Sequence, residues 1–335
     1  MKINFKTKNK ELIHSVETFV EDWGSSSPYF LVKTSGSTGR PKTIKIKKEY
    51  ACASALTTCE YLDLQSGQNA LLCLSPNTIA GKMMLVRSMV CNLNLYVVEP
   101  TSTPLASIDD PLDFIAMVPM QVQQTIQENS EKFQSGQKII IGGGPISSDL
   151  EREIKNQPFD AYHTFGMSET ISHIAMRHIS SENQCFEALP NVHFESKDGV
   201  LIIHAPHIGI HNLQTNDAVA LIDSRRFRWL GRRDFVINSG GIKLHPEEIE
   251  QYLSHVISAP FFIYGIKDEL FGEKVVLCVE AKPLNIGKSF FEKVLSKYQI
   301  PKSIYYFDAF IYTESKKVNR LKTIAEAPFY EEQVL

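Results

Sequence analysis

The sequence predicts an α/β protein in two parts: a large N-terminal domain of parallel or mixed sheets with helices plus a β subdomain, then a small α+β C-terminal domain. Three observations lead there. Short apolar runs alternate with helix-length stretches through the first half, as in a sheet flanked by helices. The span 185–230 breaks instead into short strands and turns. The span 233–335 mixes helices and strands as a unit of its own. At 335 residues the chain exceeds one typical core, so division at 1–232 and 233–335 is expected.

The elements follow in order. Residues 28–33 form a short strand, and Thr43–Lys47 alternates with period two, so the loop Thr34–Lys42 joins two strands as a wide hairpin. Lys48–Leu64 suits a helix. Ala70–Ser75 and Leu95–Glu99 are apolar runs of buried parallel strands, with a helix at Met83–Cys91 between them. Phe114–Pro119 repeats the pattern, followed by a helix near Gln121–Gln127 and a strand from Lys138 into Gly142-Gly143-Gly144-Pro145. Glycines just past a strand end put a ligand at the carboxyl ends of the sheet. Farther on come a helix at Pro246–Ser254, strands at 260–266 and 274–281, and a helix at Ser289–Tyr298.

Composition narrows the function. The chain is 43% hydrophobic and 22% charged with a formal charge of -3, which excludes a disordered chain and offers no basic excess for nucleic acid or an anionic membrane. No apolar run approaches the ~20 residues of a membrane span, and the N-terminal Met1–Lys6 carries charge where a leader would be apolar. Cys52, Cys59, Cys73, Cys91, Cys185 and Cys278 contain no C-x-x-C pair. Six free thiols in a reducing, cytoplasmic setting are therefore expected. These residues set no oligomeric state.

Four motifs carry chemistry. Thr34-Ser35-Gly36-Ser37-Thr38-Gly39-Arg40-Pro41-Lys42 combines glycines that free backbone N–H groups, hydroxyl donors and a mobile cation, a composition suited to phosphate. Alone it also fits a Ser/Gly-rich surface loop, and it does not fit the G-x-x-x-x-G-K-[ST] pattern. The glycine run at 142–144 suits either a flat ligand or a tight turn. Thr164-Phe165-Gly166-Met167-Ser168-Glu169-Thr170 sets an aromatic, a hydroxyl and a carboxylate within a few residues, with Glu169 able to hold Mg2+. Asn216-Asp217 and the stretch Trp229–Glu250, dense in Arg, Asp and Gly, form a charged joint ahead of an acidic helix start.

In this order the motifs resemble the core of the adenylate-forming superfamily of acyl-CoA synthetases, adenylation domains and luciferases. Thr313-Glu-Ser-Lys-Lys-Val-Asn-Arg320 is similar to its C-terminal signature. The resemblance, over roughly 28–322, implies ATP, Mg2+ and CoA as partners and a mobile C-terminal domain. It implies that Ser35, Gly36, Ser37, Thr38, Gly39 and Lys42, with Thr34, hold the β- and γ-phosphates. Gly143, Gly144, Pro145, Phe165 and Gly166 would flank adenine, Ser168 would contact the α-phosphate, and Glu169 the metal. Asp217 and Arg232 would meet the ribose, Asp234 would be the hinge, and Lys317 the catalytic lysine. Ser239, Gly240 and Gly241 would form the loop that reaches the site when CoA attacks.

The segment Phe114–Gln123 resembles the V-P-T-Q-L-Q stretch of o-succinylbenzoate–CoA ligases, and Ser75–Arg87 occupies the place of their H-x-S-G stretch. A dicarboxylic acid needs a cation for the carboxylate that does not react; Arg87 or Lys82 would supply it, and His173 would line the pocket. Another acyl- or aryl-CoA ligase, a carrier-loading enzyme, and a non-catalytic nucleotide binder are the competing readings.

Overall fold

In the computed structural model the described residues are 1–34, 42–180, 184–284, 286–313 and 318–335. The large sheet begins with β1 (Ile3–Phe5), followed by α1 (Lys10–Gly24), the hairpin β2 (Tyr29–Thr34) and β3 (Lys42–Lys47), α2 (Lys48–Tyr61), β4 (Asn69–Leu72), α3 (Ile79–Val90), β5 (Asn94–Val97), β6 (Phe114–Met117), α4 (Pro119–Asn129), β7 (Lys138–Ile141), α5 (Ser148–Lys155), β8 (Asp160–Gly166) and β9 (His173–His178). Strands β1, β5, β4, β6, β7 and β8 run parallel in that spatial order. Antiparallel β9 continues the sheet, then β10 (Phe186–Ala188), β11 (His193–Lys197), β12 (Val200–Ala205), β13 (Ile210–Asp223) and β14 (Arg226–Arg232) extend it in the spatial order β10-β14-β13-β12-β11. The β-rich span and the parallel strands are thus one mixed sheet.

The parallel strands are apolar on both faces because helices cover both. Ala70 and Leu72 point into one core with α1, α2 and α3, whereas Leu71 points into the other; Ile140 and its neighbours Ile139 and Ile141 divide the same way. Asn9 starts α1 by accepting from the backbone N–H groups of Glu11 and Leu12, and Leu12, Val16 and Phe19 bury one face of it. No element was expected before residue 28, where α1 and β1 lie. The β2–β3 hairpin pairs Thr34 with Lys42, as period two predicted.

The remaining elements are β15 (Ile237–Ser239), β16 (Ile242–Leu244), α6 (Pro246–Leu253), β17 (Phe261–Asp268), β18 (Gly272–Glu280), α7 (Lys288–Phe291), β19 (Ser303–Phe307), α8 (Arg320–Glu326) and β20 (Phe329–Val334). They form a second sheet with its own cores: Val275 and Leu277 face one, Val276 and Cys278 the other. The helix expected over Ser289–Tyr298 is cut short. It ends at Phe291, and farther on the Gln299 side chain accepts from the backbone N–H and the hydroxyl of Ser296 in a separate turn.

The cysteine expectation is corrected. Cys59 in the last turn of α2 is disulfide-bonded to Cys91 just after α3, with Cα atoms 6.8 Å apart. The two helices pack side by side, so residues 32 positions apart in sequence meet, a proximity spacing alone does not reveal. Cys52, Cys73, Cys185 and Cys278 are free thiols. Among the described residues no helix is long and apolar enough to cross a membrane.

Candidate active site at the carboxyl ends of the parallel strands

The parallel strands deliver three loops to one edge. After β4, Ser75–Thr78 leads into α3, whose first turn is capped by the Thr78 hydroxyl accepting from Gly81 N–H. A side chain at Gly81 would strike the Ser75 carbonyl at 2.1 Å, so the loop and helix meet this closely only with glycine there. Gln121 on α4 donates to the carbonyls of Cys73 and Thr101, both at 2.9 Å, tying the exits of β4 and β5 together.

After β7, Gly142 lies against the Thr164 side chain of β8; a Cβ would sit 2.4 Å from its hydroxyl. Gly143 is left-handed, with φ +84°. The Gly144 backbone is hydrogen-bonded to His163, whose pKa burial lowers to about 4, so the ring is a neutral strut. Phe165, expected beside adenine, packs edge-on to Phe227 at 5.0 Å and near Phe186 at 5.7 Å.

The loop after β8 is folded around Thr170. Its buried hydroxyl accepts from Met167 N–H at 2.9 Å and is also within hydrogen-bond reach of the Met167 and Ser172 carbonyls. Ile171 takes φ +66°, a strained conformation for a β-branched residue. The turn leaves Ser168 half-buried and Glu169 exposed at the tip. Among the described residues, no three His, Cys, Asp or Glu side chains converge as a metal cage. A single carboxylate such as Glu169 suits Mg2+, which keeps water and phosphate oxygens as its other ligands.

Three polar side chains from separate elements meet inside the core beside this loop. Arg87 of α3 is 2% exposed. One of its terminal nitrogens donates to Ser172 Oγ, another contacts Met84 Sδ, and Nε has no partner. Burial pushes its pKa down to about 9, and among the described residues no carboxylate pairs with it. His173 lies between Ser172 Oγ at 3.3 Å from Nδ1 and Thr58 Oγ1 at 3.0 Å from Nε2. Burial first, and the Arg87 charge second, hold its pKa well below the usual range, so the ring is neutral. Lys82 turns elsewhere: its ammonium lies 4.4 Å from the centre of the Phe19 ring on α1.

On the antiparallel side, Asp217 of β13 faces Arg232 of β14 across the ladder. It is 6% exposed and accepts from the Trp229 indole at 2.9 Å; burial raises its pKa despite that bond. Asp234 accepts from Arg232 at 3.1 Å and from both contacts of Asn216 Nδ2, at 2.9 and 2.8 Å. Gly240 and Gly241 both have positive φ, +58° and +81°, and close a two-residue hairpin after Ser239.

The structure thus brings Arg87 and His173 together, and Asp217, Arg232 and Asp234 together, and gathers Gly143–Pro145 with Phe165–Glu169 on adjacent strand ends. Ser35, Gly36, Ser37, Thr38, Gly39 and Lys317 lie outside the described residues, as do the side chains of Thr34 and Lys42. Sequence reasoning missed Thr58, His163 and Trp229 as site supports. Only Trp229 had a visible signal, its place in the Arg/Gly-rich stretch.

Comparisons with known proteins agree with this geometry. The family model described as AMP-binding enzyme matches residues 4–196. The chain is 34% identical to an acyl-CoA synthetase (AMP-forming)/AMP-acid ligase II-like protein of Dyadobacter fermentans, over 96% of this chain and 95% of that one, with a TM-score of 0.64. It is 26% identical to 2-succinylbenzoate–CoA ligase of Geobacillus sp. over 87% of this chain and 67% of that one. The structure of o-succinylbenzoate CoA synthetase of Bacillus subtilis with its acyl-adenylate intermediate superposes with a TM-score of 0.79 at 23% identity, covering 90% of this chain and 69% of that one.

Proposed function

The chain belongs to the AMP-binding enzyme family, and from that premise we propose that it is an ATP-dependent acid–CoA ligase acting on o-succinylbenzoate. The observation that carries the choice of acid is Arg87, a buried guanidinium that no acidic side chain among the described residues neutralises. Burying such a charge costs several kcal/mol. A dicarboxylic substrate would repair it, presenting one carboxylate to Arg87 while the other reacts. Relatives bearing the same activity support the reading.

The reaction has two halves. One carboxylate attacks the α-phosphorus of ATP, forming a C–O–P bond and expelling pyrophosphate; the CoA thiolate then attacks the acyl carbon and AMP departs. The attacking carboxylate is already a nucleophile, so no general base is required, and the neutral His163 and His173 are assigned none. Ser168 and Glu169 stand at the tip of the β8 loop, Ser168 to hydrogen-bond the α-phosphate and Glu169 to ligate Mg2+. The metal, when bound, offsets the charge that builds on the phosphates. Asp217 would accept from the ribose hydroxyls, oriented by Trp229. The Thr34–Lys42 loop would grip the departing pyrophosphate, and Lys317 would serve the first half-reaction.

The same reading divides the chain at 1–232 and 233–335, with Asp234 at the hinge. Its bonds to Arg232 and Asn216 cross that joint and would have to rearrange as Ser239–Gly241 replaces Lys317 at the site. The test is pyrophosphate release from ATP with o-succinylbenzoate, benzoates, fatty acids and amino acids, with and without CoA. Release with o-succinylbenzoate and CoA-dependent thioester are expected. Release only with a different acid overturns the choice of substrate, and release with none overturns the ligase.

A further inference from the structure

We propose that Thr58 and His173 are positioning residues that fix the donor geometry of Arg87 and thereby set selectivity for an acid with a second carboxylate. The inference rests on Arg87 as the carboxylate site. It assigns His173 a place behind that site rather than on the substrate, and it adds Thr58, which no motif contains.

The direction of each hydrogen bond can be worked out. The Thr58 hydroxyl has one proton, and it goes to the Ser54 carbonyl at 3.0 Å, as in any helix where a threonine bonds back one turn. Thr58 Oγ1 can then only accept from His173, so the proton of the neutral ring is on Nε2. Nδ1 is left as an acceptor, and the Ser172 hydroxyl donates to it at 3.3 Å. With its proton committed, Ser172 Oγ presents lone pairs to Arg87, which donates to it. The chain therefore runs one way, from Arg87 through Ser172 and His173 to Thr58 and the α2 backbone.

Three of the links are buried, Thr58 at 0% exposed, Arg87 at 2% and His173 at 8%, and Ser172 is half-buried. The consequence is at the guanidinium. One terminal nitrogen is anchored, and Nε remains unpartnered in the core. That leaves donors of the planar fork held ready for a carboxylate, without the rotamer search a free arginine would undergo. Reversing the Ser172 hydroxyl would set a donor against a donor and release the anchor. The ring tautomer prevents that reversal, and Thr58 sets the tautomer.

The test compares Thr58→Val, which keeps shape and removes the acceptor, with Thr58→Ser, which restores it, and with Arg87→Met. Each is assayed with o-succinylbenzoate and with its analogue lacking the second carboxylate, alongside thermal unfolding and long-range proton–nitrogen correlations of the His173 ring. Thr58→Val is expected to raise KM for the dicarboxylate about tenfold, leave kcat and the analogue's kcat/KM unchanged, and displace the ring proton from Nε2. Thr58→Ser returns all of these to the wild-type values. If Arg87→Met raises that KM and Thr58→Val does not, the positioning role is overturned while the carboxylate site stands. If neither alters it, the site itself falls. Equal loss with both substrates, or no recovery with serine, makes Thr58 merely structural and overturns the proposal.

Discussion

Replacing Arg87 by methionine should make the protein more stable and a poorer enzyme. In the free protein the guanidinium is a buried cation facing Met84 and Ser172, with no acid beside it among the described residues. Its pKa, lowered from 12.5 to about 9 by burial, sets a ceiling of roughly 5 kcal/mol on what the charged form loses. Exchanging buried ions for apolar groups of like volume returns about 1–4 kcal/mol in practice, and the lost bond to Ser172 takes back about 1 kcal/mol. A net gain of about 2 kcal/mol is expected, a rise of a few degrees in Tm for a chain of this size. Since the folded-state pKa, though depressed, stays above neutrality, the cation is present throughout and the gain should be constant between about pH 6 and 8. Catalysis moves the other way: the second carboxylate of the acid would be buried unpaired, at about 2–5 kcal/mol, so KM should rise at least about thirtyfold. Differential scanning calorimetry and steady-state pyrophosphate release read the two effects. A drop in Tm would mean that Arg87 is neutralised in the free protein, and an unchanged KM would remove it from the acid pocket.

Trp229→Phe keeps the ring but removes the donor to buried Asp217; calorimetric titration should show about tenfold weaker ATP binding, and unaltered binding would separate Trp229 from the nucleotide site. Gly166→Ala should cost several degrees of Tm and activity together, because a Cβ would sit 2.5 Å from both the Ser172 carbonyl and the His173 Cα; a wild-type Tm would disprove that close approach. Peptide mapping without reductant should recover Cys59 linked to Cys91, and Cys59→Ser should lose about 3–4 kcal/mol of unfolding free energy for a loop of this length. At Glu151 burial opposes ionisation, but the Arg177 guanidinium, with both oxygens bonded at 3.0 and 2.7 Å, overcomes it and holds the carboxyl down at about 2. That stabilisation is fully present above about pH 4.5 and is lost as pH falls toward 2, so the stability advantage over Glu151→Gln should shrink across that window in acid titrations followed by circular dichroism.

How much of this was legible depended on whether a feature's cause is local. The apolar runs at 70–75, 95–99 and 114–119 predict buried parallel strands because a strand covered on both faces must be apolar at every position, and the structure places all three in the central sheet. The β8 loop was visible for a similar reason: its glycine and its hydroxyls stand next to one another in the sequence, whereas residues 35–41 lie outside the described residues. The helix expected at 289–298 ends already at Phe291, and no local pattern in the sequence marks that stop. The disulfide and the Asp217–Trp229 bond were hidden because each is created by packing or register. Arg87 shows the division most sharply. Its place in the Ser75–Arg87 segment offered it, together with Lys82, as a cation for the acid, yet that place cannot say that it is buried or anchored. Its anchor Ser172 also meets His173, whose other ring nitrogen contacts Thr58, 115 residues away in sequence, because α2 meets the start of β9. Motifs of this kind therefore report which groups a loop brings together, whereas the way helices α2 and α3 pack around one buried charge joins residues that no local pattern connects.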